Sequence, residues 1–537
     1  MYRPSPTPRT TLLLLLGLIT LVYLPVLRAG WVWDDRGLVL HNTAVLHPTF
    51  TDVFARDLWC CTDGDPTAWF RPLMTVSLIL DHHVLGGSPM AAHLHSLAWH
   101  LLCVAGVYRL TRDRLGSEAA ALAGLWFGLH PLQSEAVAWV AARNDLLATA
   151  AVLGALSALN RGRSLVVSLC TLAALLAKES AVLLLPIAAV WAWGGRQRLS
   201  GKDTLALVAA LVVWALIRAG ATLGDVVVPP LPEDLVATVA RVGALGWSWW
   251  TVPWPLTATA SVSLPHLTPL SLLGATLSTA LLGITVWGGG RPAIAGWGIA
   301  ALGLLPGAAG VVTYGTLGER YFYLPMFGVA HAVSAAVCAR SLATHARPTR
   351  VATALLGGGA AALLAVRLPD WRSDATLFEA AWTRAPDAYS AWHLGSIRVG
   401  QGRGVEGLAL LERSLTMEVP ATHACRTVAD TARRILGPDD FLAHVPVWTG
   451  AGCRKLVGFD GPVATQLTAW GRWEDARAWL AANTQPDASG RLHVARAALC
   501  AHDGDVLGQA AVEAEWTGEP AQLRDRVATL LAGSTIR

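Results

Sequence analysis

Apolar runs of membrane-spanning length dominate the larger, N-terminal part of the chain. Stretches of about 17–22 mainly apolar residues are long enough to cross a hydrocarbon core of about 30 Å. Because only helices and closed barrels span a bilayer, the pattern predicts an all-α polytopic membrane protein with about eleven transmembrane helices. The predicted spans lie near residues 10–28, 91–108, 118–132, 145–160, 164–178, 180–194, 203–220, 268–288, 293–312, 320–339 and 351–367.

The pattern changes after Arg367, where amphipathic helical stretches separated by short glycine-containing turns continue to the end of the sequence. Leu394, Gly395, Gly402 and Pro420 approximate the spacing of tetratricopeptide repeats. We therefore predict a membrane domain over residues 1–367 and a soluble α-helical domain similar to such repeats over 368–537. The concave face of a helical repeat domain is a candidate surface for binding a peptide.

Lys and Arg mark the cytoplasmic side of a membrane protein when they cluster in short loops. The clusters fall on alternate connections, which places the N-terminus in the cytoplasm and the long loop of about 30–90 outside, together with the C-terminal domain. One further apolar segment, 238–256, would invert this order if it crossed, but its Trp and Pro content favours an interfacial or re-entrant segment. The basic residues are Arg109, Arg112, Arg114, Arg161, Arg163, Arg196, Arg198, Lys202, Arg340, Arg347 and Arg350.

Composition agrees with a membrane protein. Of 537 residues, 53% are hydrophobic and 15% are charged, whereas a soluble domain has about 25% charged residues. The net charge of +4 gives no indication of a nucleic-acid partner. No small-x-small cleavage pattern follows the first apolar run, so we predict a retained helix rather than a signal peptide. The Ala-, Gly-, Arg- and Trp-rich composition is typical of a bacterial inner-membrane protein.

Ionisable residues collect at the outer ends of the predicted helices. The first outer loop carries two adjacent carboxylates, Asp34 and Asp35, in "GWVWDDRG". Because an ionisable group at membrane depth is costly, such a cluster is a functional-site hypothesis. The other members of the cluster are Glu135, Arg143, Asp145, Lys178, Glu179, Glu319 and Arg320.

This combination suits a sugar carried on a polyprenyl phosphate. The lipid tail keeps the phosphate at the interface, where Arg and Lys at helix ends can bind its oxygens. Cleavage of the glycosyl–phosphate bond develops negative charge, which the same cations stabilise. An aspartate within hydrogen-bond reach can take the proton of the attacking hydroxyl. One carboxylate and no covalent intermediate are needed, so transfer would invert the anomeric configuration.

Five motifs, in order, carry a family resemblance: "GWVWDDRGLVLHN", "WFRPLMTVSLILDHHVLG", "LHPLQSEAVAWVAARNDLLA", "LLAKESAVLLLP" and "LGERYFYLP". With the junction "DATLFEAAWTRAPDAYSAWHLG", they resemble the transmembrane and tetratricopeptide-repeat O-mannosyltransferases over about residues 1–420. These are C-type (GT-C-like) glycosyltransferases, which use polyprenyl-phosphate sugars. The resemblance implies an inverting enzyme acting on the outer face of the membrane.

The resemblance also implies roles for individual residues. Asp34 is expected to be the catalytic base, with Asp35 beside it. The cations expected to bind the donor phosphate are Arg143, Arg71, Lys178 and Arg320. The carboxylates expected to line the substrate site are Glu135, Asp145, Glu179 and Glu319. No metal site and no required cofactor are expected, although a role for a divalent metal stays open. The expected partners are the lipid-linked donor, membrane lipids and a hydroxyl acceptor on an exported protein, a glycan or a lipid.

Several alternatives remain open from the residues alone. The paired aspartates suit a helix N-cap, and Arg143 suits a headgroup anchor. The neighbours Lys178–Glu179 and Glu319–Arg320 suit local ion pairs. For the whole chain, the main alternative is a non-enzymatic membrane-anchored scaffold that binds peptides or supports assembly. A transporter is a weaker one, because inverted repeats around a midplane site are not evident.

Overall fold

The computed structural model is almost entirely helical over the residues it describes, which are 7–62, 67–224, 235–251, 260–261, 269–314, 316–341, 347–417, 424–451, 453, 460–482, 491–505, 509, 512–513, 516 and 520–534. Within these residues, β-structure consists of a short antiparallel pair, Ala260–Ser261 with Thr316–Leu317. Backbone contacts divide the chain into two compact units, Met1–Ala385 and Pro386–Arg537. The first unit thus extends beyond residue 367, where we predicted the end of the membrane domain.

The first helices form one side of the N-terminal unit. Helix α1 packs closely against α6, because two residues of α6 that face α1 are glycines. A Cβ atom at Gly128 would lie 2.3 Å from Ile19 Cδ1, so the close approach requires glycine there. The helices are α1 (Pro8–Tyr23), α2 (Thr43–Leu46), α3 (Phe50–Phe54), α4 (Pro72–His83), α5 (Pro89–Leu115), α6 (Ser117–Leu129), α7 (Ser134–Ala138) and α8 (Arg143–Leu159), with 3₁₀ or π turns at Leu24–Arg28, Arg36–Leu40, Pro131–Gln133 and Val140–Ala142.

The rest of the N-terminal unit continues from α8 as a series of helices packed on one another. Helix α9 packs on α8, α10 packs on α13, and α13 packs on α14. The elements are α9 (Ser164–Ala177), α10 (Leu184–Gly194), α11 (Gly201–Ala219), α12 (Leu235–Ser248), α13 (Pro269–Tyr314), α14 (Tyr323–Ser341), α15 (Arg347–Arg367) and α16 (Asp374–Arg384), with 3₁₀ turns at Glu179–Leu183, Glu319–Phe322 and Leu368–Arg372. About half of the predicted outer stretch 221–267 and part of the basic stretch 338–350 lie outside the described residues.

Helix α13 reverses direction at Gly290, whose backbone is not helical (φ 58°, ψ −145°). The Trp297 indole N–H donates to Thr285 Oγ1 over 2.8 Å. Residues twelve positions apart would be separated by about 18 Å along a straight helix. Helix α13 is therefore two antiparallel helical segments, which agrees with the separate apolar runs predicted over 268–288 and 293–312.

Several helices are long and apolar enough to cross a membrane. Among the described residues, this criterion identifies Pro8–Arg28, Pro89–Leu115, Pro269–Ala308 and Glu319–Ala339. A fifth crossing results if Pro131–Ala138 and Val140–Leu159, which meet at 101°, form one broken span. Ser164–Ala177 and Glu179–Gly194 are apolar but shorter. The chain is thus a membrane protein, while the number of about eleven crossings stays a prediction.

The C-terminal unit consists of helices joined by short turns. Helices α17 and α18 form a hairpin whose turn contains Gly402 at φ +80°. The two helices approach closely because Gly395 and Gly407 face each other's backbone. A disulfide joins Cys425 and Cys453. This architecture is helical as predicted, and the assignment to tetratricopeptide repeats stays a prediction. The helices are α17 (Ala388–Gly400), α18 (Gly404–Leu415), α19 (Ala424–Ile435), α20 (Pro438–Gly450), α21 (Asp460–Ala469), α22 (Trp473–Ala481), α23 (Arg491–Asp503) and α24 (Pro520–Ser534).

Candidate active site

The loop that carries the two aspartates is held in a strained conformation. Trp33, immediately before them, has φ +53°, a region that bulky side chains rarely occupy. Its indole stacks on Trp139 with ring centroids 4.6 Å apart, and its backbone N–H donates to Asp374 Oδ1 over 2.7 Å. Asp374 also accepts a hydrogen bond from Arg36 Nε at 3.1 Å. Local strain of this kind persists only where surrounding contacts impose it, and here they fix the direction of the next residue, Asp34.

Asp34 is half-buried and lines a small cavity with Arg71, Lys178 and Arg320. Among the described residues, its carboxylate has no hydrogen-bond or ion-pair partner within contact distance. Burial raises the pKa of Asp34 to about 6, and the charge of Arg320 opposes that rise. A carboxylate with a pKa near neutrality and no partner is suited to accept a proton.

Asp35 points the other way, into the protein. It is fully buried, and its two carboxylate oxygens accept hydrogen bonds from the backbone N–H groups of Ala141 (2.7 Å) and Val32 (3.2 Å). Burial raises the pKa of Asp35 to about 8, against the effect of these two hydrogen bonds. Its contacts join the aspartate loop to the turn before α8.

We expect Asp35→Ala to destabilise the protein, because it leaves two backbone N–H groups buried without an acceptor. Each unsatisfied group costs about 1–3 kcal/mol, so the free energy of unfolding should fall by roughly 2–6 kcal/mol. Thermal unfolding of the purified protein in detergent measures this effect. An unchanged melting temperature would show that the two hydrogen bonds do not hold the loop.

Three of the predicted carboxylates each hold one of the cavity cations. Lys178 Nζ lies 2.5 Å from Asp145 Oδ1, and Arg71 Nε lies 2.9 Å from Glu179 Oε2. Arg320 pairs with the fully buried Glu135, which also accepts the Arg320 backbone N–H at 2.9 Å. These carboxylates therefore orient the cations.

A second cavity adjoins the first and shares Trp69, Arg71, Lys178 and Tyr321 with it. Its volume is about 350 Å³, compared with about 90 Å³ for the cavity at Asp34. One part of its wall is charged and includes Arg218. The remainder is mainly apolar and is formed by Val152, Ala181, Leu184, Ile187, Gly303, Pro306, Leu324 and Pro325. The pair of cavities thus combines a cationic region with an apolar one.

The structure places Arg143 away from both cavities. Its guanidinium is fully buried and lies 2.5 Å from Asp81 Oδ2, and it donates to Ser96 Oγ (3.0 Å) and to the Ala92 carbonyl (2.8 Å). Arg143 therefore ties α8 to α4 and α5. Glu319 also lies outside the two cavities, fully buried between Arg367 (3.2 Å) and Ser134 Oγ (3.1 Å).

Several cavity residues were not predicted from the sequence. Trp139 lines the cavity at Asp34, and its buried indole N–H has no acceptor among the described residues. Tyr321 lines both cavities, and the Arg320 guanidinium lies over its ring at 4.9 Å. Both belong to quoted motifs, "EAVAWVAARND" and "GERYFYLP", so the signal was present next to the charged residues. Arg218 lies at the end of α11, and no motif indicates it.

Among the described residues, no group of three or more His, Cys, Asp and Glu side chains is arranged to hold a metal ion. The site that the structure assembles is a pair of adjoining cavities with a cationic region and an apolar region, and an unpaired carboxylate lies at one end.

Comparisons with known proteins agree with the resemblance expected from the motifs. The chain is 38% identical over 143 residues to the protein O-mannosyl-transferase Tmtc2 of Drosophila melanogaster, covering 26% of this chain and 15% of that protein. It is 33% identical over 178 residues to Tmtc1 of the same organism (31% and 21%) and 27% identical over 154 residues to human TMTC3 (28% and 17%). The predicted resemblance is confirmed, and the matches span about a fifth or less of these relatives' length.

Other comparisons add little to this result. No family model matches the sequence. Among solved structures, the chain is similar to an Archaeoglobus fulgidus oligosaccharyltransferase tethered to an acceptor peptide, with 14% identity, covering 76% of this chain and 59% of that chain. The TM-score is 0.38, which is too low to support a conclusion about shared architecture.

Proposed function

We propose that the chain is an inverting membrane glycosyltransferase. It would move a monosaccharide from a polyprenyl-phosphate carrier to a hydroxyl acceptor, a protein Ser or Thr or a hydroxyl of a glycan or lipid. The observation that carries the proposal is the half-buried, unpaired Asp34 carboxylate in one cavity with Arg71, Lys178 and Arg320. The similarity to protein O-mannosyl-transferases supports the same class of reaction.

The donor would occupy the larger cavity. Its phosphate would bind Arg71 and Lys178, which line both cavities, while the start of the lipid tail would lie along the apolar wall at Leu184 and Leu324. Arg218 would add a third cation at that end. As the glycosyl–phosphate bond breaks, negative charge grows on the phosphate, and cations already held by carboxylates stabilise it without rearranging. Arg143 has no part in this proposal, because its guanidinium is committed to Asp81.

The acceptor hydroxyl would approach Asp34. The carboxylate would take the hydroxyl proton while the oxygen attacks the anomeric carbon from the face opposite the departing phosphate. A single displacement of this kind inverts the anomeric configuration and requires no covalent sugar–enzyme intermediate. Trp139, with its unpaired indole N–H in the cavity wall, is positioned to contact the sugar.

We propose that the reaction takes place on the outer face of a bacterial inner membrane, with the C-terminal unit on the same side. The Cys425–Cys453 disulfide supports this placement, because disulfides persist in oxidising compartments. The C-terminal unit would then be available to hold an exported protein acceptor.

The pH profile of transfer from short-chain polyprenyl-phosphate sugars tests this mechanism. Because Asp34 must be ionised to act as a base, kcat/KM should rise about tenfold per pH unit below about pH 6 and level off above it. The sign follows from a raised carboxylate pKa, since protonation at low pH removes the base. A profile that is flat between pH 4.5 and 7.5 would exclude Asp34 as the base.

A non-enzymatic scaffold is the competing function. It predicts no consumption of any lipid-linked sugar by the wild-type protein when a panel of donors is offered with a mixed periplasmic protein extract. Transfer by wild type with one donor would identify the sugar and exclude the scaffold function together.

A further inference from the structure

A third, strongly basic cavity lies at the opposite ends of the helices that form the candidate active site. Helix α8 begins at Arg143, close to the active-site loop, and ends at Leu159, next to Asn160 in the wall of this cavity. Its 17 residues span about 25 Å, which approaches the thickness of a hydrocarbon core. Helix α10 likewise runs from Leu184 in the active-site cavity to Gly194 in this one. The basic cavity and the candidate active site therefore lie on opposite sides of the membrane domain.

Arginines from four separate chain segments line this basic cavity, which has a volume of about 840 Å³. They are Arg114, Arg161, Arg196 and Arg291, and the one carboxylate in the wall is Asp113. Asp113 is shared between Arg161 (3.6 Å) and Arg112 (3.1 Å). Among the described residues, the other three arginines of the wall have no carboxylate partner, so positive charge is left unbalanced.

Arg114 is built into the cavity wall rather than extended into solvent. Its guanidinium stacks on Trp191 at 3.5 Å and donates from Nη1 to the Trp191 carbonyl at 2.5 Å. Its buried Nη2 has no hydrogen-bond acceptor within the part of the chain that the structure describes. A Cβ atom at Gly195 would lie 2.7 Å from the Arg114 Cζ, so glycine there leaves room for the guanidinium. An oriented guanidinium nitrogen without an acceptor indicates an anionic ligand.

Arg196 follows the end of α10 in the left-handed region (φ +58°), where its own N–H donates to the Trp193 carbonyl (3.0 Å) and the Gln197 N–H donates to the Ala192 carbonyl (2.9 Å). These hydrogen bonds close the end of the helix and explain the positive φ. The same turn leaves the exposed Arg196 side chain at the cavity wall, without a carboxylate partner among the described residues.

The neighbouring tryptophans favour a membrane lipid as the source of the anion. Trp193 and Trp287 flank the cavity and are 41% and 86% exposed. The Arg291 guanidinium lies over the Trp193 ring at 4.7 Å. Exposed tryptophans at the end of apolar helices lie at the level of lipid headgroups. We propose that this cavity binds the phosphate headgroup of an anionic phospholipid, with Arg114, Arg196 and Arg291 as the phosphate contacts.

The test uses the full chain in neutral detergent, titrated with short-chain phosphatidylglycerol or phosphatidylcholine and followed by native mass spectrometry. Phosphatidylglycerol should bind at least about tenfold more tightly than phosphatidylcholine. The double variant Arg196→Gly/Arg291→Ala should lose about tenfold or more of that affinity. Arg109→Ala/Arg163→Ala removes two exposed arginines outside the cavity wall and should change the affinity by less than about twofold.

A second variant distinguishes the loss of a phosphate contact from misfolding of the protein. Gly195→Ala keeps every charge but displaces the Arg114 guanidinium, so it should weaken phosphatidylglycerol binding several-fold. Arg196→Gly alone should fold at least as well as wild type, because glycine accepts a positive φ. Equal binding of the two lipids, or an equal loss in the Arg109/Arg163 variant, would overturn the proposal. Competition by glycerol phosphate as strong as that by the lipid would assign the cavity to a soluble phosphate instead.

Discussion

We expect Asp34→Asn to remove most of the sugar transfer and to leave the fold intact. A positioned general base contributes about 10²–10⁴-fold to the rate, so kcat should fall by that factor while donor affinity stays close to wild type. The asparagine keeps the size of the side chain and the cavity but cannot accept the proton. Transfer from a short-chain polyprenyl-phosphate sugar, with separate kcat and KM, measures the change.

The stability of the same variant distinguishes catalysis from a structural role. Burial raises the pKa of Asp34 to about 6, so the folded state disfavours the charged carboxylate at neutral pH. Neutral asparagine should therefore raise the melting temperature slightly at about pH 7.5 and leave it unchanged at about pH 4, where aspartate is mostly neutral in the folded state. Asp52→Asn, in the same loop but outside both cavities, is the matched control and should transfer sugar normally. If Asp34→Asn transfers sugar as well as wild type, Asp34 is not the base.

The second large effect concerns Lys178. Lys178→Met should destabilise the protein by about 3–5 kcal/mol, because it leaves the buried Asp145 carboxylate without its ion-pair partner. It should also raise KM for the donor, because one phosphate contact is lost. A charge-assisted hydrogen bond is worth about 1.5–3 kcal/mol, which corresponds to about 10–150-fold in donor affinity.

The double variant Lys178→Met/Asp145→Asn separates the two effects. With both charges removed, no buried charge is left unpaired, so most of the lost stability should return. The donor KM should stay raised, because the phosphate still lacks its cation. Recovery of both stability and wild-type KM would mean that Lys178 only neutralises Asp145, and the phosphate would then rely on Arg71 and Arg320.

The motifs predicted several residues of the candidate site but not the partners of those residues. Four predicted residues, Asp34, Arg71, Lys178 and Arg320, line one cavity although they come from separate segments of the chain. Three of the four carboxylates expected to line the substrate site hold these cations, and two of the three, Asp145 and Glu179, also line the larger cavity. Their pairs join residues 33, 108 and 185 positions apart, and no local pattern specifies such partners.

Arg143 is a further residue whose surroundings the motifs do not specify. In the sequence it looks as suitable for a phosphate as Arg71, because both are arginines in predicted outer loops. Packing decides between them: α4 brings Asp81 to Arg143 and buries both, while Arg71 stays at a cavity wall.

The sequence by itself determined the helical membrane architecture and the change from long apolar runs to amphipathic helices near Arg367. It also determined the segments that contribute to the site. Apolar length and helical periodicity are local properties, and each run specifies its own helix regardless of its neighbours. Only the tertiary structure decided that Asp34 faces the cavity while Asp35 holds the backbone of Val32 and Ala141. Adjacent side chains leave the backbone in different directions, and which of them meets solvent depends on what the rest of the chain packs against each one.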